Sequence, residues 1–89
     1  MRLISQHGNV DIPYEKAILL HNNNIVRADI GNFDFTMGVY SSGEKAYKVM
    51  EMVHKKYLET TVVLSGGLSF RTLPRAVVFQ FPADEEVGV

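Results

Sequence analysis

Cysteine is absent from all 89 residues. That removes disulfides, thiol catalysis and every cysteine-based zinc or iron–sulfur site. A secreted domain of this size usually carries such staples, so the composition favours the cytoplasm. Long apolar runs are missing as well: nothing approaches the roughly 18 consecutive apolar residues of a membrane span. The opening stretch MRLISQHGNVDI lacks the apolar centre of a secretory leader. A strong charge of either sign is also missing. The formal net charge is −1, and Asp84, Glu85 and Glu86 concentrate three of the ten acids at one end. The rest holds nine Lys and Arg against seven acids. So thin a basic excess argues against DNA, where clustered cations must displace counterions.

What is present is ordinary for a folded chain. Hydrophobic residues make up 46% and charged residues 21%, too apolar for disorder and enough for one domain with a modest core.

Periodicity gives the elements. RLIS (2–5) and NVDI (9–12) flank QHG, where Gly8 can supply the positive φ of a tight turn, which predicts a small hairpin ending at Pro13. AILLH (17–21), the asparagines 22–24 and IVRADI (25–30) lead to Gly31-Asn32, a two-residue hairpin signal. Then FDFTMGVY alternates: Phe33, Phe35, Met37 and Val39 fall on one face, with Asp34, Thr36, Gly38 and Tyr40 on the other. Residues 17–40 therefore read as a three-stranded antiparallel meander. From 42 to 59 the period changes to that of a helix. Ser41 and Glu44 have capping-box spacing, and Ala46, Val49, Met50, Val53 and Tyr57 share one arc about 100° wide. TTVVLSGGLS (60–69) reads as a helix stop and a β-branched run, with Gly66-Gly67 as a turn. RAVVFQF (75–81) alternates again, placing Val77, Phe79 and Phe81 together, and Pro82 ends it.

These elements predict an α+β fold: a mostly antiparallel sheet of five to six strands, with one long helix (42–59) packed on one face. The domain runs over 1–82, followed by an acidic C-terminal tail, 83–89. A second sheet face bearing Ile18, Leu20, Ile25, Val78 and Tyr40 needs cover, and a symmetric second copy is the expected one, as a dimer.

The sequence offers little for catalysis. His7, His21 and His54 form no paired zinc motif, and Glu51-x-x-His54 has the spacing of di-metal bundles but only one helix to present it. The serines of SSGE and SGGLS stand in no nucleophile elbow. Asp11 with Glu15, and Asp29 with Asp34, flank bends where acids serve solvation. No catalytic residue, metal ligand or cofactor site is assigned. Phe33 and Phe35 have the spacing of an RNA-stacking pair, but they share a face with Met37 and Val39, which argues for core. Two candidate contact surfaces remain: the helix flank Tyr47, His54 and Leu58, beside the core stripe, and the acids Asp84, Glu85 and Glu86 with Val87 as an apolar anchor. The tail reads equally as a frayed end.

RLISQHGNVDIPYE, YSSGEKAYKVMEMVHKKY and FQFPADEEV resemble small uncharacterised proteins encoded by phages, prophages and other mobile elements of low-GC Gram-positive bacteria. The likeness covers about half of the chain; residues 17–35 and 60–75 carry none of it. It departs at His7, where the family has an acid, and at Gly43, where a better helix former is usual. The resemblance implies a bacterial cytoplasm and a phage or mobile-element origin, and no activity. The expectation is a non-enzymatic, homo-oligomeric interaction module. The alternatives are an inhibitor of a host protein such as a defence nuclease, acting through its acids; a weak nucleic-acid binder; and a small enzyme or small-ligand binder using Tyr14, Glu15 or His54.

Overall fold

The computed structural model describes the backbone of residues 1–65 and 77–88, with side chains described for 1–59 and 77–88. Among the described residues it has six strands and one α-helix: β1 (Arg2–Ile4), β2 (Asp11–Pro13), β3 (Ile18–Asn22), β4 (Ile25–Asp29), β5 (Asp34–Val39), α1 (Gly43–Ser65) and β6 (Val78–Gln80). The strands form two three-stranded sheets, ordered β2-β1-β6 and β3-β4-β5. The fold is α+β with mostly antiparallel pairing; the pairing of β1 with β6 is parallel.

The first hairpin forms as its residues dictate. Gly8 sits at φ 79°, and the turn is closed by Ser5, whose N–H donates to the Val10 carbonyl at 2.9 Å. The Ser5 hydroxyl, buried, accepts from the Val10 N–H at 3.1 Å and donates to Asn9 Oδ1 at 2.9 Å. The meander of 17–40 is also present. Asn23, at φ 58°, turns β3 into β4, and Gly31, at φ 100°, turns β4 toward β5. Asp29 holds that second turn by accepting from the Gly31 N–H at 2.9 Å.

The expected alternation of residues 33–40 fails at one point. Arg27 pairs with Thr36 and Val26 with Gly38, so Met37 is an extra residue: a β-bulge. The bulge inverts the faces beyond it. Met37 and Tyr40 are buried, whereas Val39 is 47% exposed, and Phe33, which precedes the strand, is 62% exposed. Tyr40 therefore belongs to the core and not to the open face. Its ring lies over Gly38, where a Cβ would stand 2.6 Å from Tyr40 Oη.

The helix also departs from its expected bounds. Ser42, not Ser41, is the cap: its Oγ accepts from the Lys45 N–H at 3.2 Å and its carbonyl from the Ala46 N–H at 3.2 Å. The helical backbone runs on through the β-branched residues Thr60–Val63 to Ser65, because the preference of such residues against helix is only a few tenths of a kcal/mol each. The expected Gly66-Gly67 turn, and residues 75 and 76 of the expected last strand, lie outside the described residues. Ala46, Val49 and Val53 are fully buried, with Met50 and Tyr57 packed partly against the same core. α1 touches β3 and β4.

One apolar cluster joins all the parts: Leu3 and Ile12 from the first hairpin, Val26, Ala28 and Met37 from the meander, the α1 stripe, and Phe79, Phe81 and Val87 from the last segment. Phe79 and Phe81 meet edge to face at 5.3 Å, a favoured ring geometry.

Candidate functional site

The acidic segment folds back on the body. Val87 is 4% exposed and packs in the core. Asp84 Oδ1 accepts from the Ser41 N–H at 2.7 Å, and Lys45 Nζ reaches the Asp84 carbonyl at 3.1 Å and Oδ2 at 3.4 Å. Lys48 Nζ donates to the Gly88 carbonyl at 2.7 Å. Glu86 Oε1 accepts from the Ala83 N–H at 2.9 Å, closing a short 3-10 turn over Asp84–Glu86. Residues 83–88 are thus neither a frayed end nor a free acidic strip. Two of the three acids serve the fold; Glu85 is exposed and makes no bond among the described residues. Asp84 sits where the helix start leaves backbone N–H groups without partners, and that is why a carboxylate is stable there. The Ser41 backbone N–H, with Lys45 behind it, holds the Asp84 carboxyl below its ordinary range.

Sequence reasoning gave no role to Gln6 and put Tyr40 on the open sheet face; the two tie the sheets together. The Gln6 N–H donates to the Met37 carbonyl at 2.7 Å, its Oε1 accepts from the Val39 N–H at 3.0 Å, and its Nε2 donates to the Pro82 carbonyl at 3.1 Å. Tyr40 Oη donates to that same carbonyl at 2.9 Å. Burial, with Asp84 and Glu86 nearby, pushes the Tyr40 hydroxyl up to about 12. These are structural joints. The signal for Gln6 was absent, because its partners lie 31 or more positions away and only the fold brings them near.

The helix-flank residues Tyr47, His54 and Leu58 are exposed beside the buried stripe. Tyr47 is 55% and Leu58 48% exposed. The Tyr47 ring meets His21 of β3 edge-on at 5.9 Å. His54 and Leu58 share a shallow groove with Lys48, Glu51, Met52 and Lys55.

His54 also lines a second cleft, of about 560 Å³. One wall is the 3-10 turn Tyr14–Lys16; the other is α1. Tyr14, Glu15, Leu19, Met50, His54 and Tyr57 line it, with Ala17 and Val53. The residues that sequence reasoning named as a small-ligand set, Tyr14, Glu15 and His54, are therefore brought together. The Tyr14 and Tyr57 rings lie 4.4 Å apart at 35°. Glu15 Oε2 accepts from the Met1 amine at 2.9 Å. Burial, aided by Tyr57 and Glu15, raises the Tyr14 hydroxyl above its ordinary value.

On the opposite face of the meander, rows of residues follow from the register: Ile18–Asp29–Asp34, Leu20–Arg27–Thr36 and Asn22–Ile25–Val39. Arg27 and Asp34 form a two-pronged ion pair across it. Ile18, at 63%, and Leu20, at 49%, are exposed on β3, which pairs only with β4 among the described residues.

Among the described residues no group of three His, Asp or Glu could hold a metal ion, and no helix is long and apolar enough to cross a membrane. The sequence matches no protein-family profile, and neither a curated protein nor a solved structure shows significant similarity to it.

Proposed function

We propose that the protein is a non-enzymatic interaction module of a phage or mobile element, working in the bacterial cytoplasm as a homodimer built through the β3 edge. The observation that carries this reading is the state of β3. It exposes Ile18 and Leu20 on one face and, among the described residues, has a strand partner on one side only. Natural edge strands are usually blunted by a lysine, a proline or a bulge. The five residues of β3, ILLHN, contain neither lysine nor proline, and its pairing with β4 is regular.

A second copy fits this edge better than an unrelated partner does. An antiparallel strand pair about a two-fold axis is self-complementary, and β3 carries no Asp, Glu, Lys or Arg, so two copies meet without like-charge repulsion. The pairing extends each three-stranded meander into a six-stranded sheet and brings the two Ile18/Leu20 patches side by side.

Light scattering across a concentration series tests this. The expected mass is twice the 10.0 kDa of the chain. Leu20→Lys places a charge on an already exposed site and is expected to give a folded monomer. A wild-type monomer at all concentrations, or a Leu20→Lys dimer, refutes the reading.

A further inference from the structure

The cleft between the 3-10 turn and α1 has the composition of a ligand site, and it stands independently of self-association. Its volume of about 560 Å³ falls within the range of roughly 300–1,000 Å³ typical of small-molecule sites. Aliphatic and thioether groups from Leu19, Met50 and Val53 form part of its lining, and the Tyr14 and Tyr57 rings, packed on each other 4.4 Å apart at a tilt of 35°, form its aromatic side. The polar groups at its surface are the two phenols, the His54 imidazole and the Glu15 carboxylate.

Charge decides what kind of ligand such a cleft takes. Among the described residues no lysine or arginine lines it, so an anion would meet no counter-charge from them. The Met1 amine that pairs with Glu15 is buried and is not part of the lining. It occupies Oε2, and Oε1 has no hydrogen-bond partner among the described residues. Glu15, a lining residue with its side chain 42% exposed, therefore keeps one acceptor oxygen open. Aromatic faces attract cations through the ring quadrupole, and a carboxylate oxygen beside them supplies a charge-assisted hydrogen bond.

We propose that this cleft binds a small planar organic cation, with its ring against Tyr14 and Tyr57 and its N–H groups donating to Glu15. A flat amidinium or guanidinium on an aromatic ring has the required shape and donors. Neither wall demands covalent chemistry, and the proposal is one of binding alone.

Benzamidine is the probe, and benzoate, equal in shape and opposite in charge, is its control. Titrating each into isotope-labelled full-length protein, with amide shifts read by NMR, is expected to give saturable benzamidine shifts confined to residues 14–19 and 50–57. Benzoate is expected to bind at least about tenfold more weakly, the loss that follows when a charge-assisted hydrogen bond is replaced by repulsion. Glu15→Gln is expected to weaken benzamidine about tenfold while the ring-contact shifts keep their pattern. The benzamidine–benzoate contrast uses the wild-type chain and so holds whatever the variant does to folding. Equal binding of the two probes, shifts that map to another face, or no shift at millimolar benzamidine would each overturn the proposal.

Discussion

Asp84 shows how one side chain converts a run of acids into a structural clasp. Its carboxylate satisfies the Ser41 N–H ahead of α1 and draws Lys45 onto the same segment. With the Ser41 N–H as the main cause and Lys45 a lesser one, the folded protein holds the Asp84 carboxyl below its ordinary value. A group depressed in this way stabilises the fold above its unfolded pKa, about 3.9 for aspartate, and the contribution is lost as pH falls through the folded value. Asp84→Asn keeps the shape and removes the charge. Its melting temperature is expected to lie below that of the wild type at pH 7, with the gap closing as both are measured below about pH 4. A gap that stays constant with pH would assign the clasp to shape and not to charge. Tyr40 behaves oppositely. Its hydroxyl, raised to about 12, favours the fold below the ordinary tyrosine pKa of about 10, and that contribution is lost as pH rises through the folded value.

At the scale of the element, the β5 bulge is where the sequence pattern and the structure part. The alternation of residues 33–40 marked the strand correctly, since a period of two needs only local chemistry. It misassigned Phe33, which precedes the strand, and Val39 and Tyr40, which follow the bulge at Met37, where Gln6 bonds the Met37 carbonyl and Pro82 the Tyr40 hydroxyl, contacts that no local pattern reports. Gly38 is the residue that permits it. A Cβ there would stand 2.6 Å from Tyr40 Oη and 2.7 Å from Cε2, and Tyr40 cannot retreat without leaving the Pro82 carbonyl. Gly38→Ala is expected to cost about 1–3 kcal/mol, the range of overpacking, in denaturant unfolding. Adding Tyr40→Leu should recover part of that loss, since the clash needs both partners. Full additivity of the two changes would dissociate Gly38 from the ring. The last segment makes a parallel case. Its acids read as solvated from composition, but Val87 is an interior residue. Val87→Ala is expected to destabilise by about 2 kcal/mol, from roughly 0.8 per buried methylene plus the cavity left behind. A loss under about 0.5 kcal/mol, the range of ordinary surface changes, would return 83–88 to the status of a tail. The cleft was legible only as a set of residue types. Tyr14, Glu15 and His54 could be named, but Tyr57 and Met50 were read as core, because helical spacing cannot distinguish a stripe that is covered from one that borders a hollow.

For the whole molecule, the consequential pairing is the one sequence patterns could not supply. β6 joins β1 in parallel, Leu3 beside Phe79, so the two ends of the chain close one sheet while the middle builds the other. Parallel pairing over that separation leaves no turn signature. It also determines which edges remain. In the meander, Asn22 faces Ile25 across a two-residue turn, so the backbone groups of Ile18, Leu20 and Asn22 are directed to β4, and those of Leu19 and His21 to the open edge. The proposed dimer therefore makes a residue-level claim. Amide hydrogen exchange at Leu19 and His21 is expected to slow as protein concentration rises through the dimerisation range, because these N–H groups gain partners only in the pair. Ile18, Leu20 and Asn22, already bonded within the chain, should change far less. In Leu20→Lys, exchange at Leu19 and His21 should be fast and independent of concentration. Slowing at all five positions alike would signal a global gain in stability, and slowing centred on residues 47–58 would move the contact to the helix flank of Tyr47, His54 and Leu58. The edge reading requires the alternating pattern, and neither of the other contacts can produce it, because only pairing along β3 separates odd from even residues.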